Sequence, residues 1–357
     1  MGYGDAPAMR LGSREIGLGC RPYLIAEIGV NHEGSLSRAK ELVELARQAG
    51  ADAAKFQTYK AEKIAVRESP AYWNLEQEST TSQFELFKKY DSFRQTDYEY
   101  LADHCRRIGI DFLSTPFDLE AVEFLNPLCP FFKVASADIT NVPLLRAVGR
   151  CRKPVVLSTG ASNPKEIEFA IKVLDEAGAD SVVVMHCILN YPCDYKASNL
   201  AMIGDLGRLF PGRFLGYSDH TRPTSDMFVL IAAWLAGAVV LEKHFTFDKS
   251  LLGNDHYHAM DAADCRRFRE QCDFAELLLG QSKKKQALLE EESSRLYARR
   301  SIVAARQIQP GDVLKEGDLI TLRPATGISA NNWDSVLGRT VVRPVSNGTP
   351  LSWDDLS

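Results

Sequence analysis

Short apolar runs alternate along the chain with amphipathic stretches of helical periodicity. Eight runs rich in β-branched and aromatic residues predict strands: Pro22–Ile28, Ala53–Gln57, Asp111–Ser114, Phe132–Ser136, Pro154–Ser158, Ser181–His186, Arg213–Tyr217 and Ala238–Lys243. Between them, Ser35 caps a helix that reaches about Ala49, and Asn163 begins one that Gly178 ends. Eight strand–helix pairs predict an α/β fold, a (β/α)8 TIM barrel, with an open doubly wound sheet as the structural alternative.

Two segments depart from this alternation. Thr58 to about Ser92 is an unusually long excursion after the second strand, and we expect it to form a substrate-covering loop at the catalytic face of the barrel. After Gly280 the chain becomes highly charged, and short β runs separated by turns follow. The pattern predicts a barrel domain over residues 1–280, a linker over 281–300 and a small β-rich domain over 301–357, which needs a packing partner.

Composition narrows the classes of protein. The 357 residues include 42 basic and 47 acidic side chains, for a formal net charge of −5, which argues against nucleic acid or a membrane surface as a partner. The sequence contains no long apolar span and no apolar signal-peptide region near its first residue, so we expect a cytoplasmic protein. Its eight cysteines form no C-x-x-C pair, which predicts reduced thiols rather than a disulfide framework.

Every predicted strand ends in polar or charged residues, and in a barrel the C-terminal strand ends carry the chemistry. An apolar strand has no structural need to end in Lys, His or Glu, so eight such endings in succession indicate an enzyme. In chain order the residues are Glu27, Lys55, Gln57, Ser114, Thr115, Lys133, Ser136, Asp138, Ser158, His186, Tyr191, Ser218, His220 and His244.

Three kinds of site follow from these residue types. His220 and His244 end consecutive strands, so their imidazoles are a candidate site for Mn, Fe or Zn, unless they only form local hydrogen bonds at the barrel rim. A second set of lysines and hydroxyls could hold a phosphate: Lys55, Lys133, Ser114, Thr115, Ser136 and Ser158.

The third kind of site consists of carboxylates. Glu27 and Asp138 are candidates for proton transfer or sugar binding, although Glu27 could also form a structural ion pair with Lys55 on the next strand. Asp255 lies in a polar loop after the last strand, where it could bind a substrate hydroxyl. His256 and His258, in the same loop, are interpreted as ordinary loop residues rather than as extra metal ligands.

The strand ends also carry a set of motifs that resembles the N-acetylneuraminate (sialic acid) synthase family, which includes legionaminic and pseudaminic acid synthases. The motifs are Ile25–Ser35 (IAEIGVNHEGS), Lys55–Thr58 (KFQT), Ser114–Phe117 (STPF), Lys133–Ser136 (KVAS), Leu157–Gly160 (LSTG), His186-Cys187 with Tyr191-Pro192, Gly216–Thr221 (GYSDHT) and Glu242–Phe245 (EKHF). The segment from Ser301 resembles the C-terminal antifreeze-like (SAF) domain of that family.

This resemblance implies a reaction. C3 of phosphoenolpyruvate attacks the open-chain aldehyde of an N-acetylated amino sugar, while a divalent metal (Mn or Mg) polarises the aldehyde oxygen. Water then adds to C2, and phosphate leaves to give a nine-carbon 2-keto-3-deoxy acid. The resemblance leaves open whether the acceptor is N-acetylmannosamine, its 6-phosphate, or the 6-deoxy diamino hexose of legionaminic and pseudaminic acid synthases.

The resemblance also implies roles for residues. His220 and His244 hold the metal, Lys55, Lys133, Ser136 and Ser158 hold phosphoenolpyruvate, and Glu27 and Asp255 hold the acceptor. Gln57, Thr115, Tyr191 and Ser218 complete the expected substrate-binding set. Arg323 matches an arginine that reaches the active site of the other subunit in a domain-swapped homodimer.

Departures from the family and competing functions limit this interpretation. Asp138 stands where the family often has Glu, and Ile188-Leu189 replace a small polar pair. A Schiff-base aldolase that uses Lys133 is a second hypothesis, which the paired histidines disfavour. A non-catalytic ice-binding protein is a third, and it leaves the polar strand ends unexplained.

Overall fold

The structure is a computed structural model, which describes residues 8–73, 75–76, 78–253, 255–280 and 284–357. Residues 1–7, on which the signal-peptide expectation partly rests, and residues 281–283, at the start of the predicted linker, lie outside the described residues. The chain divides into two compact units, Met1–Gln281 and Ser282–Ser357. Each unit has its own hydrophobic core.

The first unit is built on a parallel sheet of eight strands that follows an antiparallel hairpin. The hairpin consists of β1 (Ala8–Leu11) and β2 (Arg14–Gly17). The parallel strands are β3 (Tyr23–Gly29), β4 (Ala53–Thr58), β5 (Asp111–Pro116), β6 (Phe132–Val134), β7 (Val155–Ser158), β8 (Val182–Cys187), β9 (Leu215–Asp219) and β10 (Ala238–His244). Each agrees with a predicted run within a few residues.

The sheet curves round into a barrel. Its strand order is β5-β4-β3-β10-β9-β8-β7-β6, and the end strands β5 and β6 contact each other. The predicted TIM-barrel fold is therefore confirmed, and the open doubly wound sheet is excluded. All residues of β8 and β10 are buried, as expected for parallel strands that side chains cover on both faces.

Helices connect successive strands and cover the barrel, and two further short helices lie in the excursion after β4. The helices are α1 (Leu36–Gln48), α2 (Ala61–Ile64), α3 (Gln83–Tyr90), α4 (Gln95–Ile108), α5 (Leu119–Leu125), α6 (Val142–Arg150), α7 (Pro164–Ala177), α8 (Ala201–Leu209), α9 (Phe228–Leu235) and α10 (Ala262–Leu279). The predicted caps are present. Asn163 Oδ1 accepts from the backbone N–H groups of Lys165 and Glu166, and Gly178 ends α7 at φ 103°.

The β1–β2 hairpin packs at the N-terminal ends of the barrel strands. Asp111, the first residue of β5, accepts from the backbone N–H of Ser13 at 2.7 Å and from the hydroxyl of Tyr23 at 2.5 Å. Leu11 and Ile16 are fully buried in the barrel core. The hairpin therefore belongs to the stable end of the barrel, opposite the strand ends that carry the polar residues.

The register of the parallel strands brings the C-terminal residues together. Glu27 pairs with Lys55, and Glu242 pairs with Ser218. Because side chains alternate between the two faces of a strand, Glu242 and His244 share one face of β10. This register places side chains from several strands within reach of one another at one end of the barrel.

The second unit contains a short helix and a small β structure. Helix α11 (Glu292–Ala298) precedes β11 (Ser301–Ala304) and β12 (Leu319–Leu322), which pair antiparallel, and α12 (Trp333–Val336) follows. Ile302, Ile308 and Leu351 belong to its core. The charged segment predicted as a linker contains α11, whose residues are exposed.

All eight cysteines are free thiols, and six of them are buried. Among the described residues, the helices are too short or too polar to cross a membrane.

Candidate active site

A cavity of about 520 Å³ opens at the C-terminal ends of the barrel strands. Most barrel residues predicted for the site line it: Glu27, Lys55, Gln57, Thr115, Lys133, Ser136, Asp138, Ser158, Tyr191, Ser218, His220, His244 and Asp255. Ser114 and His186 are not among the residues that line it, because the Ser114 hydroxyl is hydrogen-bonded to Thr58 Oγ1 at 2.6 Å and His186 Nε2 to the carbonyl oxygen of Ser198 at 2.7 Å. Arg323 lies in the second unit, directly after β12.

Two buried lysines and two buried glutamates form a charge network in this cavity. The Lys55 Nζ atom lies 2.5 Å from Glu27 Oε2 and 3.7 Å from Glu242 Oε2, and it donates to Thr115 Oγ1 at 3.0 Å. The Lys133 Nζ atom lies 3.3 Å from Glu242 Oε1. The expected Glu27–Lys55 ion pair is therefore present, but it lies within the cavity rather than apart from it.

Electrostatic coupling sets the protonation of this network. Burial acts to raise the pKa of Glu242, but Lys133 and Lys55 outweigh it and hold that pKa below its usual range. Burial acts to lower the pKa of Lys55, and the two carboxylates reverse the effect and raise it. The side chains of Glu242 and Lys55 are therefore charged in the absence of a ligand.

Glu242 is a cavity residue that the strand-end pattern did not single out. The signal that identifies it is its position two residues before His244, on the same face of β10. Asp219 also lies at the end of a strand, but it does not line the cavity. Its Oδ2 forms an ion pair with Lys243 Nζ at 2.7 Å. Both Asp219 and Lys243 are buried on the other face of their strands, where the ion pair stabilises the barrel.

Hydroxyls and a close backbone turn surround Lys133. Ser136 begins a short 3-10 turn, and its Oγ accepts from the backbone N–H of Gly160 at 2.9 Å. A side chain at Gly160 would meet Ser136 Oγ at 2.9 Å, so glycine permits the close approach. Ser158 ends β7 beside them. Lysine, hydroxyls and backbone N–H groups are the donors that bind phosphate.

The histidines ending β9 and β10 are neighbours, as predicted. The ring centroids of His220 and His244 are 5.6 Å apart. His220 Nδ1 donates to the carbonyl oxygen of Ile188 at 2.8 Å, so in the neutral ring Nε2 keeps its lone pair. Tyr191 packs on His220 with ring centroids 4.1 Å apart.

A further cluster lies on the other side of His244. His244, Asp255 and His258 each offer a ligand atom, and these atoms lie within 4.8 Å of one another. His244 Nδ1 is 3.4 Å from Asp255 Oδ2. Burial, reinforced by Glu27, raises the pKa of Asp255 to about 7, and burial together with neighbouring histidines holds the pKa of His244 well below its usual value.

The two loop histidines differ in their surroundings. His256 Nδ1 bonds to Thr246 Oγ1 at 2.8 Å, which fits its interpretation as an ordinary loop residue. His258 is fully buried, and neither ring nitrogen has a hydrogen-bond partner among the described residues. Sequence analysis did not distinguish these two histidines, because the difference comes from the path of the loop.

Asp138 lies on the cavity wall at the end of the 3-10 turn that Ser136 begins. Its Oδ1 accepts from Asn141 Nδ2 at 3.1 Å, and burial raises its pKa. A partly buried carboxyl group with a raised pKa is a candidate for proton transfer.

Aromatic side chains form the outer wall of the cavity. Most come from the excursion after β4, which also contains α2 and α3: Tyr59, Tyr72, Trp73, Phe87, Tyr90 and Phe117. The Tyr59 ring packs edge-on against Phe87 and Phe117, with centroids 5.4 Å and 5.9 Å apart. Among the described residues that line the cavity, the only lysines or arginines are Lys55 and Lys133.

Comparison with known proteins gives consistent results over nearly the whole chain. Residues 42–284 match the NeuB family, and residues 299–357 match the SAF domain. The N,N'-diacetyllegionaminic acid synthase of Campylobacter jejuni is 37% identical over 90% of this chain and 96% of its own length. That of Legionella pneumophila is 36% identical over 94% of each chain.

A solved structure is also similar. The crystal structure of the N-acetylneuraminic acid synthetase of Leptospira borgpetersenii aligns with a TM-score of 0.69 at 26% identity. The alignment covers 81% of this chain and 95% of the other.

Proposed function

Because the chain belongs to the NeuB family and carries a SAF domain, we propose that it is a nonulosonic acid synthase. It condenses phosphoenolpyruvate with an N-acetylated amino sugar to give a nine-carbon 2-keto-3-deoxy acid and phosphate. One observation carries the proposal: a single cavity combines buried lysines and hydroxyls suited to an anion, paired histidines suited to a metal, and carboxylates suited to sugar hydroxyls. Its expected location, where phosphoenolpyruvate is available, is the cytoplasm.

Phosphoenolpyruvate binds, in this proposal, at Lys55, Lys133, Ser136 and Ser158, with Thr115 and Ser218 orienting the charged groups. Lys55 is held by Thr115, and Ser218 Oγ donates to Glu242 Oε1 at 3.2 Å. The first contact holds the Lys55 ammonium group, and the second holds the Glu242 carboxylate that pairs with the lysines. Because these groups are in place before the substrate arrives, the entropy cost of binding is smaller.

Acceptor binding and proton transfer fall to the carboxylates and to Gln57 and Tyr191. Gln57 Nε2 donates to Glu27 Oε1 at 2.8 Å, which orients that carboxylate. Glu27 binds an acceptor hydroxyl and can receive the proton that water loses as it adds to C2. Asp138, with its raised pKa, is placed to supply a proton to the departing phosphate or to the new alkoxide.

Paired imidazoles fit a divalent metal, expected to be Mn or Mg, since neutral His220 offers its Nε2 lone pair and His244 Nδ1 is buried with no hydrogen-bond partner among the described residues. A metal held by these residues would supply Lewis-acid polarisation of the acceptor's aldehyde oxygen. His220 keeps its orientation through the Ile188 carbonyl, and Tyr191 limits the movement of its ring.

A 6-deoxy diamino hexose is the alternative acceptor, and one observation favours it over a 6-phosphate. The outer wall is aromatic and offers no lysine or arginine among its described residues. Phosphate recognition requires such cations or converging N–H groups, whereas a methyl group and a second N-acetyl group pack well on aromatic rings. The relatives at 36% and 37% identity carry the name of enzymes that make diacetylated products.

The second unit contributes Arg323 to the site of another subunit in this proposal, as part of a domain-swapped homodimer. The resemblance of the tail to the SAF domain supports this role.

A phosphate-release assay tests the proposal. Phosphoenolpyruvate is combined with N-acetylmannosamine, its 6-phosphate, or 2,4-diacetamido-2,4,6-trideoxyhexoses, with and without EDTA. We expect phosphate release that depends on both the sugar and the metal, and least with the 6-phosphate. Phosphate release unaffected by EDTA, or pyruvate release from a sugar acid through an enzyme adduct that borohydride traps, would instead support the lysine-dependent aldolase.

A further inference from the structure

His258 is the buried polar side chain that the proposed roles leave unexplained. It is fully buried, and both of its ring nitrogens lack a hydrogen-bond partner among the described residues. An unsatisfied buried polar group costs roughly 1–3 kcal/mol, so native proteins rarely keep one without a reason. The neighbouring His256, two residues earlier, bonds to Thr246 and has no such cost.

Other histidine and tyrosine rings surround His258. Its ring centroid lies 4.7 Å from that of His244, 5.6 Å from that of Tyr191 and 6.4 Å from that of His220. Tyr257, which packs on His258, directs its hydroxyl to the carbonyl of Tyr191 instead. In the described part of the chain, His244 Nδ1 also has no hydrogen-bond partner, and Asp255 Oδ2 lies 3.4 Å from it. One metal cation can accept lone pairs from several imidazole nitrogens and a carboxylate at the same time, so this group of side chains is suited to bind one.

We propose that His258 is a metal ligand that acts with His244 and Asp255. The metal site then contains a third imidazole in addition to those of His220 and His244. The ligand atoms of these three residues already lie within 4.8 Å of one another, so small side-chain movements suffice to close them around an ion. This proposal rests on the proposed function only in taking this metal to be the one that takes part in the reaction.

The donor set predicts which metal binds. Imidazole suits Zn, Fe, Co and similar borderline ions, whereas Mg prefers oxygen ligands and keeps much of its water. A third imidazole therefore shifts the preference of the site away from Mg. We expect tighter binding of Co²⁺ and Zn²⁺ than of Mg²⁺ in the full-length protein without substrate.

Titration with Co²⁺ tests this assignment independently of catalysis. The EDTA-treated protein is titrated while visible absorption is recorded, and Mg²⁺ is tested as a competitor. In His258→Gln, we expect Co²⁺ affinity to fall roughly 10-fold to 100-fold. His256→Gln is the matched control, because its imidazole lies in the same loop but is bonded to Thr246, and its Co²⁺ affinity should stay close to that of the unaltered protein.

A second measurement uses the unaltered protein, in case the variant fails to fold. Each imidazole bound to Co²⁺ through one nitrogen keeps one exchangeable N–H, whose proton NMR signal is strongly shifted. Signals from three imidazoles support the assignment, and signals from only two overturn it. Unchanged Co²⁺ affinity in a folded His258→Gln variant also overturns it. Absence of phosphate release would count against the proposed reaction but leaves these binding results unaffected.

Discussion

Replacing Glu242 with glutamine tests how the cavity balances its buried charges. The substitution keeps the shape of the side chain but removes the carboxylate that lies 3.3 Å from Lys133 Nζ and 3.7 Å from Lys55 Nζ. Lys55 keeps its ion pair with Glu27 at 2.5 Å. Among the described residues, Lys133 has no second carboxylate within ion-pair distance, so its ammonium group is left buried without a countercharge.

The expected cost follows from the burial of the pair. Removing one partner of a buried ion pair costs about 3–5 kcal/mol. Because the cavity opens to solvent at one end, we expect the lower end of this range for Glu242→Gln, about 3 kcal/mol. For a domain of this size, each kcal/mol shifts the unfolding temperature by about 2 °C, so the variant should unfold about 6 °C lower.

Anions should reverse part of this loss. In the variant, the uncompensated charge of Lys133 attracts an anion without competition from Glu242. Phosphoenolpyruvate, or inorganic phosphate, should therefore raise the unfolding temperature of Glu242→Gln by more than it raises that of the unaltered protein. Thermal unfolding followed by circular dichroism, with and without each anion, measures both effects.

Glu176→Gln serves as the matched control. Glu176 also pairs with a lysine, Lys172, at 3.7 Å, but both side chains are about two-thirds exposed. Exposed ion pairs contribute little to stability, so this variant should unfold within about 1 °C of the unaltered protein. Equal stability of Glu242→Gln and Glu176→Gln, or equal stabilisation of both by phosphoenolpyruvate, would refute the reasoning about buried charge.

Two further predictions concern acid stability and the second unit. Burial lowers the pKa of His32 from 6.5 to about 4, so the unfolded chain binds a proton that the folded protein excludes as the pH falls through this range. His32 therefore contributes stability that is fully present above pH 6.5, and at pH 5 about 2 kcal/mol of it should be lost; urea unfolding at pH 7.5 and pH 5 should show a smaller loss in His32→Gln. Separately, Arg323→Ala and deletion of residues 301–357 should both abolish phosphate release while leaving the circular dichroism of the barrel largely unchanged.

Both of these predictions have clear contrary outcomes. An equal pH dependence in His32→Gln and the unaltered protein would show that His32 takes up its proton in the folded state. A barrel fragment that releases phosphate at the full rate would show that Arg323 has no part in the reaction.

The strand-end chemistry was predictable because two local rules act together. Parallel strands bring their C-terminal residues to one end of a barrel, and side chains alternate between its faces. Lys55, Lys133, His220 and His244 were identified in this way, and all of them line the cavity. The same alternation also points to Glu242, which lies two positions before His244 on the same face of β10.

Other features depend on contacts that a local pattern does not encode. The β1–β2 hairpin is made of short, partly exposed strands, and Asp111, nearly one hundred residues away in sequence, holds its turn. His258 differs from His256 only through the path of the loop after β10. Contacts between residues far apart in sequence determine how deeply each histidine is buried and which neighbours it meets. They therefore determine which of the two has a hydrogen-bond partner.

The network of lysines and glutamates links anion binding to a proton. Without a ligand, Lys133 and Lys55 keep Glu242 charged by lowering its pKa. A phosphate that binds Lys133 competes for the same ammonium group and brings its own negative charge beside the carboxylate. Both effects oppose the lowering of the Glu242 pKa. If the proposed function is correct, binding of phosphoenolpyruvate at Lys133 should therefore draw a proton towards Glu242, in the cavity where phosphate later leaves.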